Sequence, residues 1–175
     1  MTLPPWHEEP VGKHHDREAF DCGEPALNDF LRRHARKSHE RGGAKTFLAV
    51  ADADNRQVFG FYSLSPASVE YARTPEVIRR KLARYDVPVF RLGRLAVARS
   101  WRGHGLGGQL LLLAGRRCLF AAVEVGGVAL LIDAKNAPVA RWYESYGAIP
   151  LSDTPLSLLL PLSTLHAALA AAGKL

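Results

Sequence analysis

Residues 101–108 read WRGHGLGG and lead directly into QLLLLAGRRCLF at 109–120. Glycines at 103, 105, 107 and 108 sit beside Arg102 and His104, at the start of an apolar helical run. The stretch before them, PVFRLGRLAVAR at 88–99, has the composition of a strand. A strand, a glycine-rich loop and a helix start together form an anion site. Glycine has no Cβ, so the backbone takes positive φ and comes close to a ligand. Successive N–H groups then line one concavity. The first helical turn adds free donors and partial positive charge. A diphosphate is the natural guest, and the alternative is a turn that merely packs tightly.

Two familiar phosphate loops fit poorly. A P-loop ends in Gly-Lys-Ser/Thr, and this one ends Gly107-Gly108-Gln109. Gly103, Gly105 and Gly108 do satisfy the spacing of a dinucleotide fingerprint. That motif should abut its strand, however, and the polar stretch Arg99–Arg102 intervenes. Too little chain follows Gly108 to complete a dinucleotide fold.

The rest of the chain bounds the answer. Its 175 residues suit one domain, with 47% hydrophobic and 23% charged residues. No apolar run reaches the roughly 18 residues of a membrane span, and MTLPPWHEEP has no signal-peptide pattern. Cys22 and Cys118 are too few for a disulfide framework. A cytoplasmic location is expected. The net charge of +6 permits a polyanionic partner without requiring one.

Residues 1–18 read as a loose lead-in rich in Pro, His and charge. A helix is expected from Cys22-Gly23-Glu24-Pro25 to Gly42-Gly43, with Leu27, Phe30, Leu31 and Ala35 inward. Strands are expected at 46–52, 57–70, 88–99, 127–134 and 156–162. Further helices are expected from Thr74 to about Tyr85, from Gly107 to Glu124 and from Asn136 to Gly147, and an Ala-rich one at 163–175. The class is α+β.

Arg102-Gly103-His104-Gly105-Leu106-Gly107, preceded by Leu92-Gly93-Arg94-Leu95-Ala96-Val97, resembles the coenzyme A pyrophosphate loop of the GCN5-related N-acetyltransferases. The later signature is present as Asn136 and Tyr143 in NAPVARWYESYG, although Ala148 stands where the family usually has an aromatic. Phe20-Asp21-Cys22-Gly23, Leu27-Asn28-Asp29-Phe30-Leu31, Thr46-Phe47 and Gly60-Phe61-Tyr62-Ser63-Leu64 narrow the likeness. They are similar to the acetyltransferase toxins of bacterial toxin–antitoxin pairs. The likeness runs from about residue 18 to 162.

This resemblance implies one acetyltransferase domain over residues 1–175, with a central, mostly antiparallel mixed sheet flanked by helices. It implies acetyl-CoA as co-substrate, held by Leu95, Ala96, Val97, residues Arg102, Gly103, His104, Gly105, Leu106, Gly107 and Gly108, and Asn136. Tyr143 becomes the candidate general acid for the departing sulfur; read without the family, it is a packing aromatic like Trp142. The acceptor implied is the α-amine of aminoacyl-tRNA, and the regulator a ribbon-helix-helix antitoxin. A homodimer is common in such toxins.

No carboxylate announces itself as a base. An α-amine with a pKa of about 7.7–8.0 is already partly neutral near pH 7, whereas a lysine amine at about 10.4 needs more help. Cys118 falls in the apolar pattern of its helix and reads as core. His7, His14, His15, His34 and His39 show no metal-ligand spacing with Cys or carboxylate, so no metal is expected. Arg32, Arg33, Arg36, Lys37 and Arg41, and Arg79, Arg80, Lys81 and Arg84, form two basic stretches. Such stretches are commonly solvated faces. Arg32, Arg33, Arg36 and Lys37, with Arg94 beside the acetyl-binding strand, are the candidate tRNA contacts. Acetylation of a small or protein amine is the alternative, and a non-catalytic phosphate- or nucleic-acid-binding module is a distant third.

Overall fold

The computed structural model describes residues 2–175, which form seven strands and six α-helices. In chain order these are β1 (Trp6–Pro10), α1 (Pro25–Asp29), α2 (Ala35–Glu40), β2 (Lys45–Ala51), β3 (Val58–Val69), α3 (Glu76–Arg79), β4 (Val87–Val97), α4 (Leu106–Val125), β5 (Ala129–Asp133), α5 (Ala137–Glu144), β6 (Ile149–Pro150), β7 (Ser157–Pro161) and α6 (Leu162–Ala171). The strands form one mixed sheet in the order β1-β2-β3-β4-β5-β7-β6. Pairing is antiparallel for β1–β2, β2–β3, β5–β7 and β6–β7. It is parallel for β4–β5, where Phe90, Arg91 and Leu92 face Leu130, Leu131 and Ile132.

The chain divides into two compact units. One holds the residues up to Ser65 together with Gly93–Leu111. Its core gathers Phe20, Cys22, Phe30, Leu31, Ala35, Leu48, Val50, Phe61, Ala96 and Ala98. Phe20 meets Phe61 edge-on at 5.5 Å, and Phe30 stacks on Phe61 at 6.3 Å. Aromatic pairs of this kind contribute about 0.5–1.5 kcal/mol beyond area burial. The other unit holds Pro66–Leu92 and Leu112–Leu175. Its core is built on Val69, Val87, Val89, Ala129, Leu131, Leu151 and Leu159.

Several elements differ from the sequence expectation. The lead-in is not loose: Trp6–Pro10 pairs along Phe47–Ala51 as the outermost strand. An edge strand is paired on one side only, so WHEEP keeps its charged side chains and lacks a strong strand pattern. The long first helix runs without a break from Pro25 to Glu40, as α1, a π-helical turn at Phe30–His34 that the sequence did not announce, and α2. The second basic helix is a single turn, Glu76–Arg79, with no buried residue to hold a longer one. Like charges at Arg80 and Arg84 oppose its extension. Arg79 instead lies over the Tyr71 ring at 5.3 Å and donates to the carbonyls of Tyr71 and Ala72. β6, of two residues, was not anticipated.

α4 is long and apolar enough to cross a bilayer by length and composition alone. It buries Leu106, Leu110, Leu111, Ala114 and Cys118 within the protein and exposes Arg116 and Arg117 in its middle, the arrangement of a protein-core helix.

Candidate active site

β4 delivers the chain to the glycine loop. Its ladder with β5 ends at Leu92–Ile132, and the strand continues through Leu95, Ala96 and Val97. A 3₁₀ turn at Arg99–Trp101 follows. Gly103 and Gly105 then both adopt φ of +79°, a conformation costly for any residue with a Cβ, and nothing lies within 4 Å of where a Cβ would project. α4 starts directly after Gly105, whose carbonyl accepts from the Gln109 N–H at 3.2 Å. Among the described residues, the N–H groups of Gly103, Gly105, Leu106, Gly107 and Gly108 meet no acceptor. Five donors without an acceptor thus lie at the positive end of a 20-residue helix, the setting of a candidate anion cradle.

The two polar side chains of the loop are both engaged by backbone carbonyls. Arg102 donates to the Cys22 carbonyl. The His104 ring folds back, with Nδ1 at 2.9 Å from the Arg102 carbonyl and its face toward Trp101. The cradle is therefore a backbone device, and its cationic character comes from the helix end.

Tyr143 and Asn136 belong to the other unit. Asn136 is extended and accepts from the Val139 N–H at 3.0 Å, so its side-chain oxygen caps α5. Pro138 follows in the first turn, where a missing N–H costs nothing. Tyr143 is 7% exposed and packs edge-on against Trp142, with ring centroids 4.9 Å apart. Its hydroxyl has no hydrogen-bond partner among the described residues. Burial pushes this phenol above the usual tyrosine range, so it is fully protonated at any working pH. The same burial pushes the Cys118 thiol up to about 12, consistent with an inert core cysteine.

The candidate tRNA contacts are mixed in character. Arg32 pairs with Glu18 at 3.2 Å, Arg33 with Asp29 at 3.0 Å and Arg36 with Glu40 at 2.9 Å, while Lys37 is exposed. Exposed pairs of this kind are weak and exchange readily for phosphate. Arg94 is different. Its guanidinium lies flat over the Phe30 ring at 3.6 Å, and among the described residues it has no carboxylate or hydrogen-bond partner. Burial holds its pKa below the usual arginine value, while it remains charged at neutral pH.

A carboxylate does meet the N-terminal histidines, which the spacing analysis overlooked. Glu9 Oε1 lies 3.1 Å from His14 Nε2 and 3.0 Å from His15 Nε2, and Glu9 Oε2 contacts His7. His15 Nδ1 accepts from the Gly12 N–H at 3.0 Å, which places its ring proton on Nε2, facing Glu9. A donor, not a lone pair, therefore points at the carboxylate, and the group is a hydrogen-bonded hub. Burial holds the His15 ring below its ordinary pKa, outweighing the Glu9 hydrogen bond. Below the unfolded value near 6.5 the unfolded chain binds more protons at His15, so this contribution to stability is lost as pH falls. His7, raised by its bonds to Asp52 and Glu9, works in the opposite sense from a half-exposed position. The thermal midpoint of His7→Ala is thus expected to fall more steeply than wild type between about pH 7 and pH 5; an equal or shallower fall contradicts this assignment.

A paired strand, a backbone anion cradle and a later helix carrying a buried, unpartnered phenol define a class of acyl-transfer enzyme, and comparison identifies it. The profile of the acetyltransferase (GNAT) domain matches residues 44–147, and the chain belongs to that family. A tRNA-acetylating toxin of Mycobacterium tuberculosis is 38% identical over 145 residues, covering 83% of this chain and 85% of the relative. The structure of AtaT complexed with acetyl-methionyl-tRNAfMet superposes with a TM-score of 0.87 at 30% identity, covering 94% of this chain and 99% of that one. A mutant of the AtaT toxin bound to the C-terminus of the antitoxin AtaR and acetyl-CoA gives a TM-score of 0.79 at 29% identity, covering 93% of this chain and 97% of that one. The mixed sheet and its helices are thus a GNAT fold.

Proposed function

We propose that the chain is an acetyl-CoA-dependent N-acetyltransferase toxin that acetylates the α-amine of aminoacyl-tRNA and so blocks translation. The observation that carries it is the cradle at 102–108, whose five unpaired N–H groups suit the pyrophosphate of acetyl-CoA. The relatives direct the choice of acceptor, since one is named a tRNA-acetylating toxin and a structural neighbour is complexed with acetyl-methionyl-tRNAfMet. The two compact units work as one acetyltransferase domain in this reading, supported by a family match that spans residues of both.

The chemistry follows from these groups. The end of β4 at Leu95–Val97 offers backbone groups to the pantetheine arm and thioester oxygen. The neutral amine attacks the thioester carbon, the C–N bond forms and the C–S bond breaks. A donor aimed at the developing oxyanion lowers the barrier by about 3–4 kcal/mol. In this reading Tyr143 is the donor to the departing sulfur. Its raised pKa makes complete proton transfer to a thiolate uphill, so it acts by donating a hydrogen bond as negative charge grows on sulfur. The proton lost by the amine goes to solvent, and an ester-activated α-amine needs no dedicated base.

Arg32, Arg33, Arg36 and Lys37 contact tRNA phosphates in this reading, and the unpaired Arg94 receives the acceptor end. The partner that silences the enzyme is a ribbon-helix-helix antitoxin, consistent with the AtaR complex of a neighbour. A homodimer is supported by the exposed apolar Phe120, Val123 and Val125 at the end of α4. The compartment is the cytoplasm, where charged tRNA resides.

One assay tests the reading. Labelled acetyl-CoA is supplied with charged tRNA, uncharged tRNA, polyamines and lysine peptides in parallel. Label is expected on charged tRNA alone. The Arg32→Glu, Arg33→Glu, Arg36→Glu triple variant should label it more slowly, with the log–log salt slope reduced by roughly 0.7–0.9 per lost phosphate contact. Label on polyamine or peptide with none on charged tRNA leaves a general amine acetyltransferase.

A further inference from the structure

The toxin-like segment Phe20-Asp21-Cys22-Gly23, with Asn28, touches no reacting group in the mechanism above, yet it is bonded to the chain just before the loop and at the loop's first residue. Phe20 and Cys22 are 4% and 3% exposed and anchor the segment in the core. Asp21 Oδ1 accepts from the Gly23 N–H at 2.8 Å and from Asn28 Nδ2 at 3.0 Å. Asn28 Oδ1 in turn accepts from the Cys22 N–H at 2.9 Å. This closed ring of bonds fixes the orientation of two carbonyls. The Asp21 carbonyl accepts from the Arg99 N–H at 2.9 Å, at the start of the 3₁₀ turn before the loop. The Cys22 carbonyl accepts from the Arg102 guanidinium, at the loop's first residue. The Asp21 carboxylate also faces Arg99 Nη1 at 3.5 Å. Gly23 has φ of +84°, and a Cβ there would lie 2.8 Å from Arg102 Nη2.

We infer that Asp21, Gly23 and Asn28 are positioning residues for acetyl-CoA: they brace Arg99 and Arg102, and so hold the cradle in its open, ligand-ready conformation. Two glycines at positive φ give residues 103–105 wide freedom, and an unbraced loop has many conformations to lose on binding. This explains why the first loop residue is an arginine that reaches away from the cradle. It acts as a strut. The inference rests on the reading of 102–108 as the pyrophosphate site.

Asn28→Ala removes two of the ring's three bonds at once. Three measurements follow: deuterium uptake at residues 99–108 in the ligand-free protein, KM for acetyl-CoA and charged tRNA with kcat at saturation, and the thermal midpoint. Uptake is expected to rise and KM for acetyl-CoA to increase about tenfold, with kcat and KM for tRNA unchanged. Unchanged uptake overturns the inference regardless of the cofactor, as does raised uptake with an unchanged KM for acetyl-CoA. A wild-type protein that fails to bind acetyl-CoA rejects the reading of the loop itself, and the positioning role with it. If Asn28→Ala does not fold, Asp21→Asn carries the test. It keeps the side-chain acceptor and removes only the charge facing Arg99, so a smaller change of the same sign is expected. The absence of any change in that variant's uptake and acetyl-CoA KM then overturns the inference.

Discussion

Tyr143→Phe is expected to lower kcat by about 10²–10⁴ while leaving acetyl-CoA affinity close to wild type. The substitution removes one oxygen and retains the ring that fills the pocket beside Trp142. The hydroxyl makes no hydrogen bond in the ligand-free chain, so its loss breaks no internal contact. Folding stability should therefore be nearly unaffected. Single-turnover rates with saturating acetyl-CoA and charged tRNA separate the outcomes. A loss confined to kcat places the hydroxyl at the developing thiolate. Unchanged turnover returns Tyr143 to a packing role.

The phenol's raised pKa sharpens this expectation. A general acid with an ordinary tyrosine pKa titrates out near pH 10, and the rate falls with it. A phenol held above that range stays protonated further into alkali. The alkaline limb of kcat is then not set by Tyr143, and the acid limb of kcat/KM reports protonation of the substrate amine.

The sequence made the loop legible because glycine clusters before an apolar helix have few other uses, and the structure puts Gly103 and Gly105 in the backbone region that only glycine visits cheaply. Tyr143 was singled out by the family resemblance, through the Asn136 signature; the residues alone read it as a packing aromatic. The long elements followed from periodicity: β4 and α4 lie within a residue or two of their expected bounds. The misses share a cause. β1 and the Arg102 strut depend on contacts distant in the chain, such as Tyr62 to Glu8 and Arg102 to Cys22, which no local pattern encodes; the Glu9 hub is near in sequence, but the turn that gathers its histidines carries no ligand-like spacing. The π-helical turn at Phe30–His34 is equally silent in sequence, since an added residue per turn leaves the Phe30, Leu31 and Ala35 stripe almost unaltered. The arginines of that helix look free in sequence and are paired in space. Arg94, an isolated arginine in a strand, proves to be the partly buried cation without a partner.

Gly105→Trp is expected to abolish measurable acetyl-CoA binding in calorimetry without unfolding the protein. Two effects act together. A non-glycine residue at φ of +79° is strained whatever the space around it, and relief of that strain would turn the Gly105 and Leu106 N–H groups out of the cradle. Nothing lies within 4 Å of the projected Cβ, so the side chain starts into open space on the loop and its bulk competes there with a diphosphate. Gly105→Ala separates the two contributions. It carries the strain without the bulk, so its loss of affinity should be partial, whereas Trp adds complete obstruction. Affinity in the Trp variant equal to wild type would remove residues 102–108 from the cofactor site and leave the five unpaired N–H groups without an assigned ligand. Equal and complete losses in both variants would instead identify backbone conformation, rather than space, as the quantity the two positive-φ glycines supply.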